Sequence, residues 1–171
     1  MSEENKLIPT MSSVYSDLPF GEQLVLWGVR MWTKAFNQGS NSNDIIQKGF
    51  RLAGVPESYI SLDTIMHIIA TSGEGIIDIR CTGCSSISID EHRIIGAFAA
   101  YQSSENHTNG DEYLSLWLPP ASLRIARGSA FKLANSFYDG GLMLRPRPWT
   151  QAISIDIHDC LQEPTNRYSV H

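Results

Sequence analysis

The chain has 171 residues, 42% of them hydrophobic, and a formal charge of -5. That length supports a single domain with a real core. The acidic balance excludes a nucleic-acid or anionic-membrane surface as the main partner, because both select a cationic footprint.

Other coarse features point the same way. No run approaches the ~20 apolar residues of a membrane span, and the polar start MSEENKLIPTMSS lacks the cationic head and apolar centre of a signal peptide. Three cysteines are too few, and odd in number, for a disulfide scaffold. A cytoplasmic protein with no membrane contact is expected.

Taken in order, residues 1–16 carry apolar side chains without period and are expected to form a mobile or loosely docked N-terminal arm, with residues 17–171 as one helical domain. Asp17 can cap a helix whose first turn accepts Pro19, and from Phe20 to Phe36 apolar residues cover most of the helix circumference before Gly39 ends it. Such a helix is either the central core helix or one that gives a second face to a partner subunit. Asn43 can cap a short helix carrying Ile45, Ile46, Phe50 and Ala53, with Gly54 as its stop. A further helix starts near Glu57 or Ser61 and ends before Gly73. Its His67 lies in an apolar stretch, where a lone histidine is more often a hydrogen-bonded packing residue than a functional one.

Residues 76–80 are rich in β-branched side chains and predict a short strand. The pattern then turns to Ser88-Ile-Asp-Glu91, whose spacing is that of a capping box, so a helix begins at Ile89. Asp90 and Glu91 suit the positive end of its dipole, and Ile94, Ile95 and the run from Ala97 to Tyr101 place it in the core. A polar loop is expected over 103–111, then an apolar cluster of Tyr113, Leu114, Trp117 and Leu118. Pro120 opens the clearest amphipathic helix, with apolar residues at intervals of three and four through Phe137 and a stop at Gly140-Gly141. Alternate prolines in Arg145-Pro146-Arg147-Pro148-Trp149 then favour an extended path, and Ile153, Ile155 and Ile157 alternate like a half-buried strand. The fold expected is therefore mainly α, a bundle-like packing of five or six helices with a minor two-stranded β element (76–80, 153–157).

Two constellations could carry function. Cys81 and Cys84 have the spacing at which two thiolates hold one zinc ion, and His158 with Cys160 could complete a closed structural set. Each pair follows a predicted strand, so parallel pairing would bring the ligands together and antiparallel pairing would separate them. The competing reading is ordinary buried thiols; a thioredoxin-like use is weaker because the surrounding βαβ pattern is missing. Arg124, Arg127, Lys132, Arg145 and Arg147 concentrate cations near the last long helix, either as an anion or acidic-partner patch or as a solvated face.

No nucleophile elbow, phosphate loop or His-Glu-x-x-His pair is present, so no catalytic residue is assigned. Asp90, Glu91 and His92 sit together, but capping already accounts for both acids. The function expected is a non-enzymatic interaction or regulatory module, self-associating or binding a protein partner. The alternatives are a structural-zinc domain and an enzyme with an unrecognised pocket.

Overall fold

The computed structural model describes residues 14–103, 107–147 and 168–170. Among them lie six α-helices: α1 Phe20–Gln38, α2 Asn43–Leu52, α3 Ser58–Ser72, α4 Ile89–Gln102, α5 His107–Leu114 and α6 Pro120–Asp139. The strand β1, Ile77–Ile79, joins α3 to α4, and β2, Tyr168–Val170, pairs with it antiparallel. The fold is mainly helical and bundle-like, as the apolar periodicities require.

The core helix is α4. Its capping box forms in full: the Ser88 side chain accepts from the Glu91 amide, and the Glu91 side chain accepts from the Ser88 amide. From Glu91 to Tyr101 every residue but Arg93 is buried. Neighbours approach closely because glycines stand at the crossings. A Cβ on Gly96 would lie 2.8 Å from the Tyr113 ring of α5, and one on Gly110 would lie 2.8 Å from the Tyr101 ring of α4. Tyr101 then donates to Asp111 (2.6 Å), and Arg127 of α6 donates to the same carboxylate, so three helices share one polar anchor. Burial, reinforced by the bond to Asp111, holds the Tyr101 hydroxyl well above its usual pKa.

α1 is a core helix along most of its length. Leu24, Val25, Leu26, Val29, Trp32 and Ala35 are buried, and Gly39 ends the helix in the left-handed conformation at φ 60°. Asp17 does not cap it. That residue sits in a 3-10 turn, Tyr15–Asp17, and Pro19 occupies the cap position without a side-chain bond. Val14 and Tyr15, at the end of the expected arm, contact the residues after the cysteine pair: Val14 bridges Ser86, and the Tyr15 amide donates to the Ser85 carbonyl at 2.7 Å. The segment read as a polar loop over 103–111 includes the start of α5, whose helical character is masked in sequence by His, Thr, Asn and Gly.

The described partner of β1 is 168–170 rather than the predicted 153–157. Residues 153–157 lie outside the described residues.

After α6, Leu142 to Arg147 return across the bundle in an extended path. Gln102 of α4 fixes that path by donating to the Leu142 carbonyl (2.9 Å) and accepting from the Leu144 amide (2.8 Å). The start of α1 meets it where Gly21 leaves room, since a Cβ there would stand 3.2 Å from Leu142. Arg145 and Arg147 are thereby delivered to α1.

Candidate functional site

Three places in the molecule have unusual chemistry: a charged interior, the cysteine loop, and an apolar groove. The interior begins with Glu22 and Arg30, two residues of α1 that lie under its apolar surface. Arg30 forks onto Glu91, with Nε to Oε1 at 2.7 Å and Nη2 to Oε2 at 2.9 Å. Its remaining donors reach the carbonyls of Cys84 (2.7 Å) and Ser86 (2.8 Å). Glu91 also accepts from the amides of Arg80 and Ser88, both at 3.0 Å. A buried carboxylate with two backbone donors and a bidentate guanidinium is the arrangement in which a desolvated charge is tolerated.

Glu22 is satisfied differently, by residues far away in sequence. The Arg145 amide (2.9 Å) and guanidinium (3.2 Å) and the Arg147 guanidinium (2.7 Å) all donate to it. Burial alone would raise its pKa, but the bonds from the two arginines and the charge of Arg147 outweigh burial and hold the carboxyl below its ordinary value. His92 is buried beside this cluster, and its Nδ1 has no hydrogen-bond partner among the described residues. Burial, with the charge of Arg147 and against that of Glu22, lowers its pKa to about 4. The ring is neutral at pH 7.

The expected cationic patch is therefore divided. Arg145 and Arg147 neutralise Glu22, and Arg127 pairs with Asp111. Arg124 and Lys132 remain exposed on α6. Nor do Asp90, Glu91 and His92 converge as an acid/base trio: Asp90 accepts from the Asp78 amide (2.8 Å) and Arg93 (2.9 Å), while Glu91 serves Arg30. His67 is exposed, with its ring edge-on to Trp32 at 4.9 Å and Nδ1 2.9 Å from the Asp63 carbonyl.

Cys81 and Cys84 are joined as a disulfide. This differs from the free-thiol expectation, and sulfurs bonded to each other offer no thiolate to a metal. His158 and Cys160 lie outside the described residues. Among the described residues no group of His, Cys, Asp and Glu could hold a metal ion.

The groove lies between α1 and α2. Tyr15, Phe20, Gln23, Leu24, Trp27, Gly49, Leu52 and Ala53 line about 310 Å³ of space without a charged side chain among them. On its floor the Trp27 indole packs so closely on Gly49 that a Cβ there would stand 2.5 Å away. Phe20 at the rim is 59% exposed and Leu52 is 80% exposed. Ile45, two turns before Leu52 on the same side of α2, is 55% exposed and extends the patch. Glu22, Arg30 and the groove follow from no motif in the sequence, although charges inside so apolar a helix signal that something must neutralise them.

No helix among the described residues is long and apolar enough to cross a membrane. Comparison with protein-family models, with curated proteins and with solved structures finds no match.

Proposed function

We propose that this chain is a non-enzymatic interaction module that self-associates through the apolar groove between α1 and α2, the occupant being the same face of a second copy. The observation that carries this reading is the exposure of Leu52 and Phe20 beside a trough floored by Trp27 and Gly49. A patch holding both protruding and receding apolar elements can be complementary to itself, which a two-fold contact requires. Charge at the groove does not oppose that occupant. Two copies of a chain with a net charge of -5 repel, and a lining without charged residues lets them meet where that repulsion is least. Clustered apolar exposure of this kind marks association surfaces rather than ordinary solvent-facing helix.

Sedimentation equilibrium across a wide concentration range tests the reading. The natural chain is expected to dimerise, and Leu52→Asp to return it to monomer without changing its helical circular dichroism. A strict monomer at all concentrations overturns the reading. A dimer indifferent to Leu52→Asp and Phe20→Asp also overturns it, by placing the contact elsewhere.

A further inference from the structure

The cysteine loop leads directly into Ser85, whose carbonyl accepts from the amide of Tyr15, a residue lining the groove. Cys81 and Cys84 are half-buried, Thr82 and Gly83 between them are exposed, and nothing stands within 4 Å of a Cβ built on Gly83. The disulfide can therefore be approached from solvent. Two guanidiniums border the loop, each paired with an acid: Arg30, bound to Glu91, also donates to the Cys84 carbonyl, and Arg80, which directly precedes Cys81, pairs with Asp78 at 3.5 Å. Exchange at such a pair proceeds by thiolate attack on one sulfur and departure of the other as thiolate.

The residues that follow the pair hold the N-terminal segment. The Ser85 carbonyl accepts from the Tyr15 amide, Ser86 bridges Val14, and the Ser86 carbonyl accepts from Arg30. Arg30 in turn lies 5.1 Å over the Tyr15 ring, whose hydroxyl donates to the Gln23 carbonyl at 2.8 Å. Tyr15 is one wall of the groove.

We infer that Cys81 and Cys84 form a reversible thiol–disulfide site exchanging with small thiols of the glutathione class, and that the closed ring fixes Ser85 and Ser86 as the edge on which Val14 and Tyr15 dock. In the reductive direction a small thiolate attacks one sulfur, the other sulfur leaves as a thiolate and takes a proton, and a second small thiol resolves the mixed disulfide. Two thiols are oxidised to one disulfide and the protein pair is reduced to two thiols. The consequence for the groove rests on the self-association reading; the redox site does not.

The test uses the full chain carrying Cys160→Ser, so that only this pair titrates. The protein is equilibrated over a range of reduced-to-oxidised glutathione ratios, alkylated and weighed by mass spectrometry. The pair is expected to pass from fully protected to fully alkylated within that range, while Cys81→Ser and Cys84→Ser each stop at a single glutathione adduct. Hydrogen exchange at the Tyr15 amide is expected to be roughly tenfold faster in the reduced form, because its acceptor at Ser85 loosens with the loop.

A pair that stays oxidised under excess dithiothreitol, or stays reduced under excess oxidised glutathione, overturns the redox site. So does one equivalent of zinc bound by the reduced natural chain that blocks its reoxidation. Equal exchange at Tyr15 in both states overturns the coupling. Absence of a dimer in both redox states, with the titration intact, overturns the groove reading alone.

Discussion

Glu91 and Glu22 are both fully buried carboxylates bound by arginine, yet they are held by different kinds of structure. Glu91 lies at the entry of α4, and two of the four hydrogen bonds to its carboxylate come from the amides of Arg80 and Ser88, eleven and three residues away. Only Arg30 comes from a distant helix. Glu22 has no local donor in its cluster, because its partners are residues 123 and 125 positions further along, delivered by the path that Gln102 fixes. One site is built by a helix start, the other by closure of the whole bundle. The first is therefore the part most dependent on a single ion pair, and the second the part most dependent on tertiary assembly.

The largest effect is expected from removing the fork at the helix start. Arg30→Ala leaves Glu91 buried without its counterion and frees the carbonyls of Cys84 and Ser86, and losing one partner of a buried pair costs about 3–5 kcal/mol. Urea unfolding monitored by helical circular dichroism should show the unfolding free energy fall by that amount, as a lower midpoint with an unchanged slope. Arg30→Lys keeps the charge but loses the two-pronged geometry, so it should fall between the two. A loss below about 1 kcal/mol for Arg30→Ala would mean that water replaces the guanidinium, and the contrast with Glu22 would disappear.

The same contrast explains what could be read from sequence. Ser88 and Glu91 announce a helix start because their interaction is local, and Pro120 and Gly140-Gly141 bound α6 for the same reason. The periodicity of Ala126, Ala130, Leu133, Ala134 and Phe137 identifies a buried face without knowing its partner. Glu22 and Arg30 were visible as charges, but their neutralisation depends on chain separations of 61 to 125 residues, which no local spacing encodes. The groove was less legible still. On its floor Trp27 lies against the one residue of α2 that has no side chain, and Gly49 alone signals nothing. Likewise the Cys81-Thr-Gly-Cys84 spacing suits both metal binding and a disulfide, and only the conformation of the loop chooses between them.

A smaller and pH-selective effect separates the Glu22 side from the Glu91 side. His92 has a folded-state pKa near 4 against 6.5 for an exposed imidazole, so between these values the unfolded chain binds the proton and the native chain does not. Stability must rise with pH across that window, and the loss on going from pH 7 to pH 5 is about 2 kcal/mol by linkage. Glu22 acts lower: its depressed pKa contributes stability above the ordinary carboxyl value, lost as pH falls below about 4.5 through the folded pKa. Unfolding free energies measured at intervals from pH 7 to pH 5 should therefore slope in the natural chain and lose most of that slope in His92→Asn. An unchanged slope in the variant would place the acid sensitivity elsewhere.

The smallest effect tests the local half of the comparison by itself. The Ser88 hydroxyl accepts from the Glu91 amide at 3.1 Å and donates to the Asp78 carbonyl, tying the helix start to β1. Ser88→Ala removes the acceptor and the donor together and should cost about 1 kcal/mol, the usual value of an N-cap. Ser88→Thr retains both functions and should recover most of it. Glu91 would still accept from Arg30 and from the Arg80 amide in either variant, so the ion pair is expected to survive the loss of the cap. The decisive measurement is a double-mutant cycle of Ser88→Ala with Arg30→Ala in urea. Additive losses, within about 0.5 kcal/mol, mean that cap and ion pair act independently on one carboxylate. A large coupling would mean that the cap holds Glu91 in place for Arg30, making the helix start a single cooperative unit and the difference from Glu22 sharper.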